Sequence, residues 1–306
     1  MDIHIMENML KIAEEKSITK AAKKLYLTQS ALNQQLLREE KDLGMELFTR
    51  GKYFCEPTRA GLIYLEGVKK IIQVKKETYR KISDLTKNFK DTIHIGVTPV
   101  RGPDMFVHVY PIFRDCYPNI SVHPHIMSVG EQINALEKGT IDMGFMALFK
   151  SQRKHNQYLE LMKEEIVMAF PSKWQIDSYR IASPKGNVSI SYKIFEDKPV
   201  VLLKKGTTMR PIIDLILKSQ GVRPNVLFEA INPTTILEMI QANICCGFVS
   251  RLSSVGYSKN IDYYSFPMPL RWDVAVSYPS GVKLSKAELD FVDMAKNYWM
   301  GKIGEA

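Results

Sequence analysis

Long apolar runs are missing from this 306-residue chain. A membrane-spanning helix needs roughly 18 to 20 predominantly apolar residues in succession, so neither a spanning segment nor a membrane partner is expected. A secretory leader is not expected either. It needs a basic start and a continuous apolar stretch, whereas residues 1 to 17 scatter Asp2, Glu7, Glu14 and Glu15 among spaced apolar positions; a folded helix and a cytoplasmic location are expected instead. Cysteine is scarce. Cys55, Cys116, Cys245 and Cys246 show neither CxxC spacing nor a histidine placed for zinc, which argues for small buried thiols rather than a disulfide framework or a structural metal. Enzyme signatures are lacking as well: the chain has no nucleophile elbow, phosphate-binding glycine loop, zinc set or carboxylate pair. His4, His94, His108, His123, His125 and His155 have no partners that the sequence places. His123 and His125 share one face of a strand, a pattern that fits packing or surface location better than metal ligation. Neither an enzyme nor a cofactor is expected.

What is present has the balance of a folded globular protein, with 45% hydrophobic and 25% charged residues and a length that suits two or three units. The net charge of +9 is concentrated. From Lys16 to Arg38 the chain carries Lys20, Lys23 and Lys24 and no acid, and from Lys69 to Lys90 basic residues outnumber Glu77 and Asp84. Local basic excess suits a polyanion partner, although a solvated charged face has the same composition. Apolar residues at Met6, Met9, Leu10, Ile12 and Ala13 have helical spacing, a second helix fits Lys20 to Leu25, and Thr28 is a good cap for a third that stops at Gly44. Three short helices, two of them separated by a tight turn, make a helix-turn-helix candidate. Residues 47 to 56 suit a small two-stranded wing. A long helix follows from Ala60 to about Phe89, with Leu62, Leu65, Val68, Ile72, Tyr79, Ile82 and Phe89 forming an imperfect seam broken by Lys75 and Thr86.

Beyond Lys90 the period changes. Strands are expected at Ile93–Val97, Ile120–Ile126, Ile141–Met146, Val200–Leu203, Val226–Glu229, Gly247–Ser250 and Trp272–Tyr278. Helices are expected at Met105–Asp115, Glu131–Glu137, Met209–Ser219, Thr234–Gln241 and Lys286–Met300. Such alternation implies βαβ units with mostly parallel sheet, arranged as two similar halves around a cleft at the strand ends. In the third helix, Ala31, Leu32 and Leu36 share one side, while Gln29, Ser30, Asn33 and Gln34 project from another. Asn and Gln can pair bidentately with adenine in the major groove, and an ordinary polar helix surface fits the same pattern.

Residues 17 to 50, SITKAAKKLYLTQSALNQQLLREEKDLGMELFTR, resemble the DNA-binding signature of the LysR-type transcriptional regulators: paired alanines, a leucine, TQSAL, then LG, LF and a closing arginine. Pro57-Thr58-Arg59-Ala60-Gly61, Ile93-His94-Ile95-Gly96, the stretch Gly139 to Gly144, Glu164 to Pro171, Gly206-Thr207-Thr208 and Gly247-Phe248 extend the resemblance over nearly the whole chain. It implies an α+β multidomain fold with an N-terminal winged helix-turn-helix at 1–58 and a long linker and dimerisation helix at 59–90. A periplasmic-binding-protein-like effector domain follows at 91–306, with subdomain I at 91–164 and 266–306 and subdomain II at 165–265.

Carried over by position, Thr28, Arg50 and Thr58 look like DNA contacts at a helix start, the wing and the wing end. Gln29, Ser30, Asn33 and Gln34 look like groove readers; phosphate contacts position the head, and base contacts specify sequence. The resemblance places the effector among Thr98, Val100, Arg101, Ser128, Phe149, Lys204, Thr207, Asn232 and Phe248, with Arg210 nearby. Hydroxyls at helix starts and these cations suit a small organic anion, while Val100, Phe149 and Phe248 suit an apolar body. Implied partners are double-stranded promoter DNA, a small-molecule effector, further copies in a homodimer or homotetramer, and RNA polymerase. Asn33, Leu37 and Glu39 depart from the family pattern. Glu39 falls on the apolar side, which requires either a nearby lysine or a shallower helix. The rival reading is a transporter's solute-binding protein, which shares the cleft architecture without the head.

Overall fold

The computed structural model describes residues 2–51, 54–83, 91–182, 188–257 and 259–304. It divides into two units, Met1–Ile82 and Ser83–Ala306. In the first, α1 (Ile3–Glu15), α2 (Ile18–Lys24) and α3 (Gln29–Leu43) are each opened by a side-chain cap, from Asp2, Ser17 and Thr28 in turn. These caps satisfy backbone N–H groups that have no partner inside the helix. Gly44 ends α3 with φ +67°, a left-handed conformation that costs glycine nothing. Met9, Ile12, Ala21, Ala22, Leu32 and Leu36 form the core with Leu47, Phe48 and Leu65. The paired alanines are fully buried where α2 meets its neighbours, so their small size sets the helix spacing.

The expected wing is present as antiparallel β1 (Phe48–Arg50) and β2 (Cys55–Pro57). It leads into α4 (Arg59–Ser83). A side chain at Gly61 would bring Cβ within 1.9 Å of the Leu47 carbonyl oxygen, so only glycine lets α4 lie this close to the wing. Glu39 resolves differently from both sequence expectations. It is 6% exposed, and its carboxylate accepts a 2.8 Å hydrogen bond from the Tyr64 hydroxyl on α4, so the partner is a phenol rather than a lysine and the helix is not shallow. Burial, with Glu39 beside it, pushes the Tyr64 phenol well above its ordinary value.

The seam expected on α4 divides. Leu65 and Val68 turn inward and are buried, whereas Leu62, at 60% exposed, Ile63, Ile71 and Val74 face outward. Thr86 and Phe89 lie outside the described residues.

The second unit begins with β3 (Asp91–Val97), α5 (Arg101–Cys116), β4 (Ile120–Ile126), α6 (Val129–Lys138) and β5 (Met143–Leu148). Then come β6 (Gln157–Pro171), a small hairpin of β7 (Arg180–Ala182) and β8 (Val188–Ile190), and a one-turn α7 (Ile194–Asp197). The second βα series is β9 (Val200–Leu203), α8 (Arg210–Ser219), β10 (Val226–Ala230), α9 (Pro233–Gln241) and β11 (Cys246–Ser250), closed by β12 (Ile261–Tyr278) and α10 (Lys286–Gly304). The two halves share one eight-stranded sheet in the order β10-β9-β11-β6-β12-β5-β3-β4.

The sheet is parallel within each half, and the long strands β6 and β12 run antiparallel to each other through its middle. Residues of β6 alternate between faces. Ile166, Met168 and Phe170 join the core beneath α5, α8 and α10, and Val167 and Ala169 join the one beneath α9. That two-sided burial explains why β6 is apolar on successive residues from Ile166 to Phe170.

Candidate functional site

On α3, Leu32 and Leu36 are fully buried, while Gln29, Ser30 and Gln34 are exposed and Asn33 is partly so. The groove-facing set from the sequence therefore shares an open face. Thr28 accepts from the Ala31 N–H at 3.1 Å and so fixes the first turn that presents Gln29 and Ser30. Glu40, buried near the end of this helix, accepts from the N–H groups of Leu47 (2.8 Å) and Phe48 (3.2 Å) and pairs with Arg50. Arg50 is thus oriented by Glu40 while its side chain stays about one third exposed. Thr58 is spent differently from the sequence expectation. Its hydroxyl donates to the Glu46 carbonyl (2.7 Å) and accepts from the Gly61 N–H (3.0 Å), which is helix-cap work. Lys24 pairs with Glu15 and Lys16 with Glu56, but Lys20, Lys23 and Arg38 make no ion pair among the described residues. Sequence reasoning missed Glu40, and it missed Tyr26, which sits 96% exposed at φ +56° in the turn before α3.

In the second unit, the loops after β3, β4, β9 and β10 carry most of the effector candidates at the carboxyl ends of parallel strands. Thr98 and exposed Val100 precede α5. Ser128 caps α6 in a reciprocal box with Glu131, and Asn232 caps α9 through Thr235. Exposed Lys204 and partly buried Thr207 share a turn in which the Thr207 hydroxyl donates to the Lys204 carbonyl.

The remaining candidates stand elsewhere. Phe248 is 2% exposed and packs on Phe195, with ring centroids 4.6 Å apart, so it belongs to the core rather than to a ligand wall. Arg210 is held by Asp214 and Glu229, each at 2.7 Å. Arg101 meets Glu164 through two nitrogens, at 2.6 and 3.0 Å, and also bonds Ser250. Of the three cations proposed for a ligand, Arg101 and Arg210 are paired, and Lys204 makes no ion pair among the described residues.

Glu164 is the hub of a buried cluster that sequence reasoning did not foresee. Besides Arg101, it accepts from the Trp272 indole N–H (2.7 Å) and the Leu252 backbone N–H (2.8 Å), and the Arg101 guanidinium lies 5.3 Å from the Trp272 ring centre. Four groups from widely separated residues thereby meet where the two halves join. A second link crosses there as Gln152 donates to the Thr208 carbonyl at 2.8 Å.

His94 adds to the histidine pair noted in the sequence: its Nδ1 lies 3.0 Å from His125 Nε2, with the His123 ring 5.4 Å away. Among the described residues no group of three His, Cys, Asp or Glu side chains could hold a metal ion. Burial pushes the Cys245 thiol up to about 11 and raises Cys246 further, while Cys116 is exposed. Thiolates react, and thiols kept protonated do not. Brief iodoacetamide treatment of the native protein, read by mass spectrometry, is therefore expected to label Cys116 and spare Cys245 and Cys246; equal labelling would contradict their burial.

The winged three-helix head can be set beside known sequences. Residues 3–62 match the description "Bacterial regulatory helix-turn-helix protein, lysR family", and residues 87–300 match "LysR substrate binding domain".

The chain belongs to the LysR family of bacterial regulators.

It is a DNA-binding transcriptional regulator with an effector-binding domain, and the head overturns the transporter reading. Among relatives of this LysR-family chain, the uncharacterized HTH-type transcriptional regulator YybE of Bacillus subtilis is 26% identical over 85% of this chain and 86% of its own length. AlsR of the same organism is 23% identical over 86% and 85%. In fold, a full-length OxyR variant from Pseudomonas aeruginosa superposes with a TM-score of 0.67 at 18% identity, covering 98% of this chain and 94% of that one. CbnR, a LysR family transcriptional regulator, gives 0.53 at 18% identity over 97% and 99%. No helix among the described residues is long and apolar enough to cross a membrane.

Proposed function

We propose that this LysR-family regulator is cytoplasmic and reads its operator with Gln29, Ser30, Asn33 and Gln34, positioned on phosphates by Thr28 and Arg50. The observation that carries this reading is the division of α3 into a fully buried apolar side and an open amide- and hydroxyl-bearing side at its first turns. The outward Leu62, Ile63, Ile71 and Val74 on α4 support a homo-oligomer formed through that helix. RNA polymerase is the proposed protein partner at the promoter. Between the two halves of the second unit, Thr98, Ser128, Lys204 and Thr207, with Val100 and Asn232 beside them, are proposed to take a small organic anion. A ligand shifts a regulator only by its differential affinity for two arrangements, and a site between two halves supplies such a difference.

Two experiments test this reading. Arg50→Ala should weaken binding to cognate and random duplexes by similar factors in fluorescence anisotropy, because a phosphate contact carries no sequence information; a loss confined to the cognate duplex would contradict the assignment. Titration calorimetry of the full chain with small carboxylates should give saturable binding. Binding of only cationic or neutral compounds would overturn the anion reading.

A further inference from the structure

Phe149, Lys150, Ser151, Lys163, Arg271 and Asp273 line a hollow of ≈ 470 Å³ over the paired strands β6 and β12. Its cations come from separate elements. Arg271 and Asp273 on β12 stand opposite Glu165 and Lys163 on β6, so these four side chains leave the same face of the sheet. Glu164 and Trp272, one residue along, leave the other face together with Arg101, so that buried cluster does not neutralise the hollow.

Of the acids nearby, one is closely held and two have long contacts only. Asp273 is held by Arg153 at 2.6 Å, Glu165 lies 3.9 Å from Arg251, and Glu160 sits 3.8 Å from Arg153 and 3.9 Å from Lys163. Lys150 and Arg271 make no ion pair among the described residues, and Lys163 has only the long contact to Glu160. Three positive groups converging on one concavity repel one another and concentrate anions. Arg271 adds a planar fork suited to a carboxylate or phosphate.

The hollow also adjoins the proposed effector loops. Gln152, in the same short turn as Lys150 and Ser151, bonds the Thr208 carbonyl beside Thr207, and Phe149 opens that turn.

We propose that the effector is a polyanion whose second acidic group is bound by Lys150, Lys163 and Arg271. This rests on the reading that a small organic anion binds between the halves, and it adds the ligand's charge class. A single carboxylate would leave these three cations unmatched.

The test is calorimetry on the full chain at fixed ionic strength, with butyrate, succinate, citrate and inorganic phosphate as probes, on the natural protein and on Arg271→Gln and Lys150→Gln. Both positions are exposed, so folding should be retained. Succinate or citrate is expected to bind at least about tenfold more tightly than butyrate, and Arg271→Gln should erase most of that preference while leaving butyrate binding in place. Equal affinity for butyrate and the polyanions, a preference that survives in both variants, or binding of phosphate alone overturns the polyanion inference and leaves the anion site standing. Failure of every probe to bind, with a neutral or cationic compound binding instead, overturns the anion site itself.

Discussion

Replacing Gln29 with alanine is expected to cost about 1 to 3 kcal/mol on the cognate operator and to leave affinity for random duplex nearly unchanged. The asymmetry follows from where the residue sits. Gln29 is the first residue of α3, exposed beside the Thr28 cap, and a recognition helix reaches base edges with its N-terminal turn. Its amide offers a donor and an acceptor together, which matches an adenine edge. Phosphate attraction supplies the non-specific affinity, and Lys20, Lys23 and Arg38 remain in place in the variant. Anisotropy titrations with cognate and shuffled duplexes measure both quantities. Equal losses on the two DNAs would remove Gln29 from the set of base readers.

The largest effect on stability is expected from Glu164→Ala. The Glu164 carboxylate is fully buried and the Arg101 side chain only 15% exposed, so removing the acid strands a guanidinium, an indole N–H and the Leu252 N–H without their acceptor. Breaking a buried pair on one side costs about 3 to 5 kcal/mol. For a unit of this size that corresponds to a fall of roughly 6 to 20 °C in Tm, readable by calorimetry of the full chain. Arg101→Met combined with Glu164→Leu should recover much of the loss, since it removes the stranded charge. A change under about 1 kcal/mol in Glu164→Ala would mean that the cluster is wet and loosely held.

The contrast between these two sites explains what was legible in the sequence. In the head, the signals are local: Ser17 and Thr28 cap, Gly44 stops, and the buried positions of α3 repeat at helical spacing, so helix boundaries and the open polar face follow from neighbours a few residues apart. The Glu164 cluster joins residues 63, 108 and 88 positions away, and no short-range pattern encodes that meeting.

The first half of β12 was obscured for a different reason. Pro267 and Pro269 argue against a strand, and the structure accommodates them at a register shift between Ser265 and Leu270. Aromatic residues at strand ends were ambiguous as well. Phe149 and Phe248 both join the core, on Trp272 and on Phe195 and Phe266 in turn, and Phe149 also borders the hollow; no short-range pattern separates these roles. Glu39 looked costly on an apolar side because its partner, Tyr64, lies on another helix 25 residues on.

Competition at moderate salt between a duplex from the DNA flanking this gene and a shuffled duplex of equal length and composition reaches the central claim most directly, with the full chain and fluorescence anisotropy as readout. The account predicts a clear preference for the natural fragment, lost when Gln29 and Gln34 are both replaced by alanine. Indistinguishable binding to the two duplexes by the natural protein, for every flanking fragment tried, would contradict it.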